Sequence, residues 1–294
     1  MEHVVSIPHP PFTTADGQLT VHQLPAWKDN FVWVIACNTT GVAAVVDGPN
    51  ADAALACCNA NGLSLQVILN THTHGDHIGI NRDLEKRGLL SSLKVYGRER
   101  TKGSVPGLTH PVNDGDTVTV GEVSGKVLLT EGHLDGHISF VFDDVLFCGD
   151  TLFGGGCGYL FDGPPRTMKQ SLDRLAALPP ETRVCCAHEY TQDNLRFAWS
   201  VEPENTALAD RIKKTWARRL EGHASVPSTI ALERETNPFL RHESPDLRQH
   251  VQQAIAPDAD TADAWFAATR RLKDTKQYKS ITDSELPLSG DTSV

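Results

Sequence analysis

The sequence predicts an α+β fold, a sandwich of sheets followed by a helical cap. Three observations predict it. Short β-type runs alternate with turns and a few helices over about the first two-thirds of the chain, and after about residue 190 helical periodicity takes over. Residues able to bind metal recur where apolar strands end, as they do when loops at one sheet edge build a site. The change in periodicity places a boundary at 189/190: residues 1–189 form the sandwich and 190–294 a mainly helical unit.

The elements follow in order. Phe31–Ala36 and Val42–Val46 read as strands around Asn38-Thr39-Thr40-Gly41, which has the composition of a hairpin turn. Ala51–Ala60 is alanine-rich and closed by Asn61-Gly62, so it reads as a helix. Leu65–Leu69 is a buried strand that delivers the chain to His72. Further strands are expected at Lys94–Tyr96, Lys126–Leu129, Ser139–Phe142, Val145–Phe147 and Arg183–Ala187. Helices are expected at Thr167–Leu178, stopped by Pro179-Pro180, and at Asn194–Val201, Thr206–Leu220 and Thr261–Lys273. From Ser280 onward the chain is polar and is expected to be a loose tail.

Composition narrows the function classes. At 294 residues, 39% hydrophobic and 22% charged, the chain is that of a soluble globular protein with a sizeable core. No apolar run is long enough to cross a bilayer, and the first residues lack the pattern of a secretory leader. The seven cysteines include the adjacent pairs Cys57/Cys58 and Cys185/Cys186, poor disulfide partners, so a reduced, cytoplasmic setting is expected. A net charge of −10 argues against nucleic acid as a partner but allows a locally basic pocket for a small anion. No membrane partner is expected, and the chain is read as a monomer.

The strongest chemical signal is Thr71-His72-Thr73-His74-Gly75-Asp76-His77. Imidazoles and a carboxylate are the ligands zinc and its neighbours prefer. Four of them in six residues converge on one point only if the backbone turns tightly, and Gly75 is expected to permit that turn. Three further ligand types stand at strand exits: His133 beyond Val127–Leu129, Asp150 beyond Val145–Gly149, and His188 beyond Val184–Ala187. A lone histidine is more often a surface or core residue. Joined to the first run, these make seven ligands, enough for two metal ions.

That set, His72, His74, Asp76, His77, His133, Asp150 and His188, resembles the metallo-β-lactamase superfamily. The resemblance implies a four-layer αββα sandwich, with His72, His74 and His133 on a first metal, Asp76, His77 and His188 on a second, and Asp150 bridging. The segments Gly149–Phe153, Gly156-Cys157-Gly158, His188–Thr191, Asn237–Arg241 and Arg270–Asp274 are similar to glyoxalase II, the hydroxyacylglutathione hydrolases. The likeness runs from about Gln23 to Lys279. It implies hydrolysis of S-D-lactoylglutathione, or a related S-2-hydroxyacylglutathione, to D-lactate and glutathione, as in methylglyoxal detoxification. The cofactors would be two divalent ions, zinc first, with iron or manganese also accepted by these ligands. The helical unit would bind the substrate.

Two such ions share a water and lower its pKa from near 15.7 to about 7, which yields a hydroxide to attack the thioester carbonyl. The leaving thiol has a pKa of about 8.5, so its departure needs little help from an acid. Asp76 and Asp150 are therefore the catalytic candidates, acting chiefly as ligands. The resemblance further implies that Tyr190 donates its hydroxyl to the peptide part of glutathione and that Arg270 and Lys273 meet its glycine carboxylate. Tyr159 also falls among the substrate-binding positions, but where that family usually has a basic residue, and Phe161 stands where some members have a tyrosine. Loss of that charge weakens carboxylate recognition or favours another glutathione-like thiol, one whose glycine is amidated, and Arg166 is available to compensate.

The remaining histidines, His3, His9, His22, His223, His242 and His250, are expected at the surface, and His110 in a loop. His137 is placed either behind the metal ligands or in simple packing. Three rival readings are weaker. A mono-iron persulfide dioxygenase on this fold needs no second ligand set, a phosphodiesterase suits a less acidic chain, and a binding protein with a relic site should have lost ligands.

Overall fold

The computed structural model describes residues 2–288. Its first sheet contains, in order, β1 (Phe12–Thr13), β2 (Leu19–Ala26), β3 (Asn30–Cys37), β4 (Val42–Val46), β5 (Ser64–Leu69), β6 (Lys94–Arg98) and β7 (His110–Val112). Helix α1 (Asp52–Asn61) joins β4 to β5 and helix α2 (Gly75–Lys86) joins β5 to β6, so these three strands are parallel. The second sheet is built from β8 (Thr117–Val120), β9 (Val123–Leu129), β10 (Ile138–Phe142) and β11 (Val145–Gly149). A small ribbon, β12 (Leu152–Phe153) with β13 (Gly156–Cys157), follows; helix α3 (Pro165–Ala176) then leads to β14 (Arg183–Cys186), parallel to β11.

Alternation explains the layers. In β3, Val32, Val34 and Ala36 face α1 and α2, where they meet Ala54, Cys58, Ile78 and Leu84. Phe31, Trp33 and Ile35 point the other way and pack with Phe140, Phe142 and Phe147 of the second sheet. Trp33 Nε1 donates across the interface to the Cys186 carbonyl at 2.9 Å, which pins β3 to β14. Met168, Leu172 and Leu175 of α3 join the same core. The result is the expected αββα order.

Beyond β14 come α4 (Thr191–Val201), α5 (Thr206–Leu220), β15 (Ser228–Thr229), α6 (Ile230–Thr236), α7 (Pro245–Ala254) and α8 (Ala262–Asp274). Asn205, Thr229, Ser244 and Thr261 cap α5, α6, α7 and α8 by accepting from a backbone N–H three residues on. The helical unit is not free of the sandwich, because β15 pairs with β14 and extends the second sheet. The expected loose tail is also corrected. Arg196 Nη2 donates to Asp283 at 2.6 Å, Trp199 Nε1 donates to the Glu285 carbonyl at 3.1 Å, and Leu286 is buried beside α4 and α5. Residues 289–294 of that tail lie outside the described residues.

Helix α2 was hidden from the sequence by its own metal-binding run, and it overturns the role expected of Gly75. Gly75 is the first residue of the helix, and a Cβ there would meet only Arg82 Nη1, at 4.0 Å. The glycine that matters is Gly79, whose Cβ would lie 2.3 Å from the Pro49 carbonyl oxygen. That close approach seats α2 against the turn after β4. Gly79→Ala is expected to destabilise the fold by about 1–3 kcal/mol, the usual cost of overpacking. Gly75→Ala should change stability by less than about 1 kcal/mol. Urea midpoints of both variants check this, and equal midpoints would contradict it.

Candidate metal centre

Each of the seven side chains read from the sequence arrives at the same edge of the sandwich. Strand β5 ends just before His72, and α2 carries Asp76 and His77 in its first turn; β9, β11 and β14 end before His133, Asp150 and His188. Two groups form. His74 Nδ1 lies 3.1 Å from His72 Nε2 and 3.0 Å from His133 Nε2, and His133 Nε2 lies 3.5 Å from Asp150 Oδ2. In the second group Asp76 Oδ2 is 3.5 Å from His77 Nε2 and 3.4 Å from His188 Nε2, and both nitrogens are 3.5 Å from Asp150 Oδ1. The two oxygens of Asp150 are thus divided between the groups.

These spacings test whether metal ions fit. Four ligands about 2.1 Å from a tetrahedral ion stand about 3.4 Å apart, and the separations found run from 3.0 to 3.5 Å. His77 Nε2 and Asp150 Oδ1 are buried and have no hydrogen-bond partner, a costly state unless something else satisfies them. Imidazoles facing one another at about 3 Å around a shared carboxylate are a donor set for cations, and the residues fit two.

The opposite edge of most ligands is held, which fixes its tautomer and aim. His77 Nδ1 lies 2.9 Å from Asp47 Oδ2, His188 Nδ1 lies 3.0 Å from Asp29 Oδ1, and His133 Nδ1 lies 2.7 Å from the Tyr159 carbonyl. Asn30 Nδ2 donates to Asp76 Oδ2 at 2.9 Å. His137 is fully buried behind the site. Its ring stacks on His72, with centroids 4.8 Å apart, and its Nε2 accepts the Asp150 N–H at 3.2 Å. Its Nδ1 faces the hydroxyls of Thr130 and Thr151, so it backs the ligands rather than merely filling space.

The charges follow from these neighbours. Burial would lower the pKa of His188, but Asp150, Asp29 and Asp76 outweigh it and raise it to about 9. His77 is likewise pushed well above its usual value, against its burial, by Asp150 and Asp47. Burial works against ionisation of Asp76 and Asp150 too, yet the histidines hold both carboxyls well below the ordinary range. Burial drives His72 and His137 well down and lowers His133, so these rings are neutral.

The other expected site residues lie in two places. Tyr190 stacks on the His188 ring with centroids 4.6 Å apart, and Tyr159 and Phe161 are more than half exposed at the rim of the first group. Phe161 sits edge-on to His74 and His133 at 5.1 and 5.2 Å. Arg270 and Lys273, in contrast, are buried on α8. Arg270 Nη2 donates to Asp274 at 2.5 Å and Nη1 to the Cys157 carbonyl at 3.4 Å, and Lys273 Nζ donates to Asn194. Both cations lie over the Phe239 ring. Arg166, offered as a compensating charge, is exposed and faces Asp263 instead.

Several functional residues escaped the sequence reading: Asp29, Asn30, Asp47 and the backbone of Tyr159. Asp47 was within reach, since it stands at the exit of β4 as the metal-facing residues stand at theirs. It is held at φ 53° before Gly48, and its carboxylate also takes the Thr71 N–H and hydroxyl. Two histidines expected at the surface, His22 and His242, are buried at 9% exposure. His110 begins β7 rather than lying in a loop.

A sandwich with this metal-binding edge defines a class. Residues 29–188 match the family model of the metallo-beta-lactamase superfamily, and residues 189–276 match that of the hydroxyacylglutathione hydrolase C-terminus. The hydroxyacylglutathione hydrolase of Gloeobacter violaceus is 47% identical over 87% of this chain and 99% of its own. That of Methylococcus capsulatus is 43% identical over 87% and 98%. The chain belongs to the hydroxyacylglutathione hydrolase family. Solved structures share the fold at lower identity. A metallo-beta-lactamase from Staphylococcus aureus, 20% identical, has a TM-score of 0.57 over 86% of this chain and 71% of its own. ETHE1 from Myxococcus xanthus, 22% identical, has a TM-score of 0.56 over 87% and 98%.

The raised pKa values of His77 and His188 have a consequence. At pH 7 the metal-free protein holds protons on both rings, on His188 up to about pH 9, and metal binding must displace them. Binding at pH 7 is expected to release about two protons per chain, and affinity should rise as pH approaches 9. Calorimetry in buffers of different ionisation enthalpy measures the release. No release, or proton uptake, would contradict the assignment.

Proposed function

We propose that this protein hydrolyses the thioester of S-D-lactoylglutathione, or a related S-2-hydroxyacylglutathione, to the hydroxy acid and glutathione. The observation that carries the reading is Asp150, whose two oxygens face two separate groups of ligand atoms within a chain of this family. Two divalent ions, zinc by preference, would be held by His72, His74 and His133 and by Asp76, His77 and His188, with Asp150 on both. When bound they supply a water of lowered pKa and polarise the carbonyl under attack.

The chain's own residues supply the rest. Asn30 turns the Asp76 carboxylate toward the second group, and Asp47 and Asp29 aim the Nε2 atoms of His77 and His188 inward. His133 is aimed by the Tyr159 carbonyl, so the rim segment that would touch substrate also positions a ligand. No acid is needed for the leaving group, because a thiolate departs readily near neutral pH. Tyr190, at the mouth, offers its hydroxyl to the peptide part of the thiol. Tyr159 and Phe161 offer aromatic edges.

Arg270 and Lys273 would meet the substrate carboxylate from behind β13. Burial and Arg270 lower the pKa of Lys273 to about 8, so it is mostly cationic at pH 7 and an arriving carboxylate would stabilise that charge. The division of labour we propose is a metal-binding sandwich over residues 1–189 and a substrate-binding helical unit from 190 onward. No helix among the described residues is long and apolar enough to cross a membrane. We infer a cytoplasmic monomer acting in methylglyoxal detoxification.

Asp150→Ala is expected to lower kcat/KM by far more than tenfold, about 1.4 kcal/mol, and to reduce bound metal below two equivalents. Circular dichroism should show a folded chain. Activity within about tenfold of wild type, with metal content unchanged, would contradict the bridging role.

Lys273→Met keeps an unbranched side chain of similar length beside Phe197 and Phe239, over whose rings Nζ lies, while removing the charge. A lost charge-assisted contact is worth about 1.5–3 kcal/mol, so KM for the glutathione thioester should rise at least about tenfold with kcat little changed. The same substitution should leave an analogue with an amidated glycine unaffected. Equal effects on both substrates would show that Lys273 does not read the carboxylate.

A further inference from the structure

A groove of about 480 Å³ runs along α5, and none of the seven metal-facing residues lines it. Its volume lies within the range of small-molecule sites, about 300–1,000 Å³. The floor is polar and buried: Arg211 donates to Glu233 at 2.5 Å and to Thr236 at 2.6 Å, and Ser228 also meets Glu233. Val226 and Leu232 add apolar surface.

The rim is electrically polarised. Along α5 the rim runs from Asp210 through Lys214 to Arg218 at four-residue spacing, with Glu235 toward the start of the helix, where its carbonyl accepts from Asn205 Nδ2; all four are exposed, and Arg218 also donates to the Ala224 carbonyl. Among the described residues none of them has an opposite charge within 4.0 Å. Asp210 and Arg218 are eight residues apart on one helix, so their backbones are about 12 Å apart. An anion alone would meet repulsion at the acidic end, and a cation alone at the basic end. A neutral molecule would cover charges without pairing them. The ligand that satisfies both ends carries an ammonium and a carboxylate about 7–10 Å apart, the span of two or three extended residues.

We propose that this groove is a second small-molecule site, which takes a short zwitterionic peptide lying along α5 with its ammonium at Asp210 and Glu235 and its carboxylate at Lys214 and Arg218. Its position behind the metal centre gives the site a physical connection to the chemistry. Ser225, on its wall, donates from its backbone and hydroxyl to Glu189 at 2.7 and 2.5 Å, and Glu189 directly follows His188. Glu233, beneath the floor, takes the Gly155 N–H at 2.8 Å, in the loop beyond Asp150. The proposal does not depend on which thioester is cleaved, and its test uses no thioester.

The test is calorimetric titration of the metal-loaded full chain with tri-alanine, with N-acetyl-tri-alanine amide and with acetate. Tri-alanine is expected to bind saturably at one site. The capped peptide should bind at least about fivefold more weakly, as should tri-alanine to Asp210→Asn/Glu235→Gln and to Lys214→Gln/Arg218→Gln. All four side chains are exposed, and circular dichroism and metal content equal to wild type verify that the variants are intact. No binding of tri-alanine, equal binding of the capped peptide or of acetate, or binding untouched by both double variants would overturn the proposal. The last result would place the peptide elsewhere, the metal centre included.

Discussion

The carboxylate of Asp150 is buried between two groups of imidazoles, with Oδ2 turned to one and Oδ1 to the other. Burying an ionised carboxylate is expensive unless it is paired. In the metal-free chain the pairing is with rings that are neutral on one side, His72 and His133, and hold protons on the other, His77 and His188, which a metal ion must displace. Hydrogen bonds do not complete this arrangement, because His77 Nε2 and Asp150 Oδ1 have none. Two cations would complete it, and the rest of the fold can be understood as the frame that holds these atoms ready.

That frame is built from strand ends. Parallel pairing of β4 with β5 and of β11 with β14 brings the exits of all four strands to one edge, where Asp47, His72, Asp150 and His188 emerge. The hairpin between β2 and β3 adds Asp29 and Asn30 from the neighbouring side, locked to the loop after β14 by the bridge between Asn30 and His188. Helix α2 presents Asp76 at its N-terminus, where the helix dipole favours a negative charge. The rigidity comes from polar groups that are themselves buried, Asp47 and His137 above all, each of which touches more than one element of the centre.

Much of this was legible in the sequence, for physical reasons. The strands that lead to the site finish in apolar residues and are bounded by turns, and the residues that bind cations are chemically few. The fold class, the seven converging side chains and most helix positions therefore emerge from periodicity and residue type. What periodicity does not encode is close approach. Gly79 matters because of Pro49, thirty positions earlier, and Gly75 does not, although it is the glycine inside the motif. Asp29 and Tyr159 act through contacts 159 and 26 residues distant in sequence. The burial of Arg270 and Lys273 depends likewise on Asn194, Cys157 and Phe239, which no local pattern links to α8.

Anomalous-scattering crystallography of the metal-loaded protein tests the division of Asp150 most directly. Two peaks about 3.5–4 Å apart are predicted, one beside Oδ2 among His72, His74 and His133 and one beside Oδ1 among Asp76, His77 and His188. A single peak at full occupancy, or two peaks with the Asp150 carboxylate turned to only one of them, would contradict it.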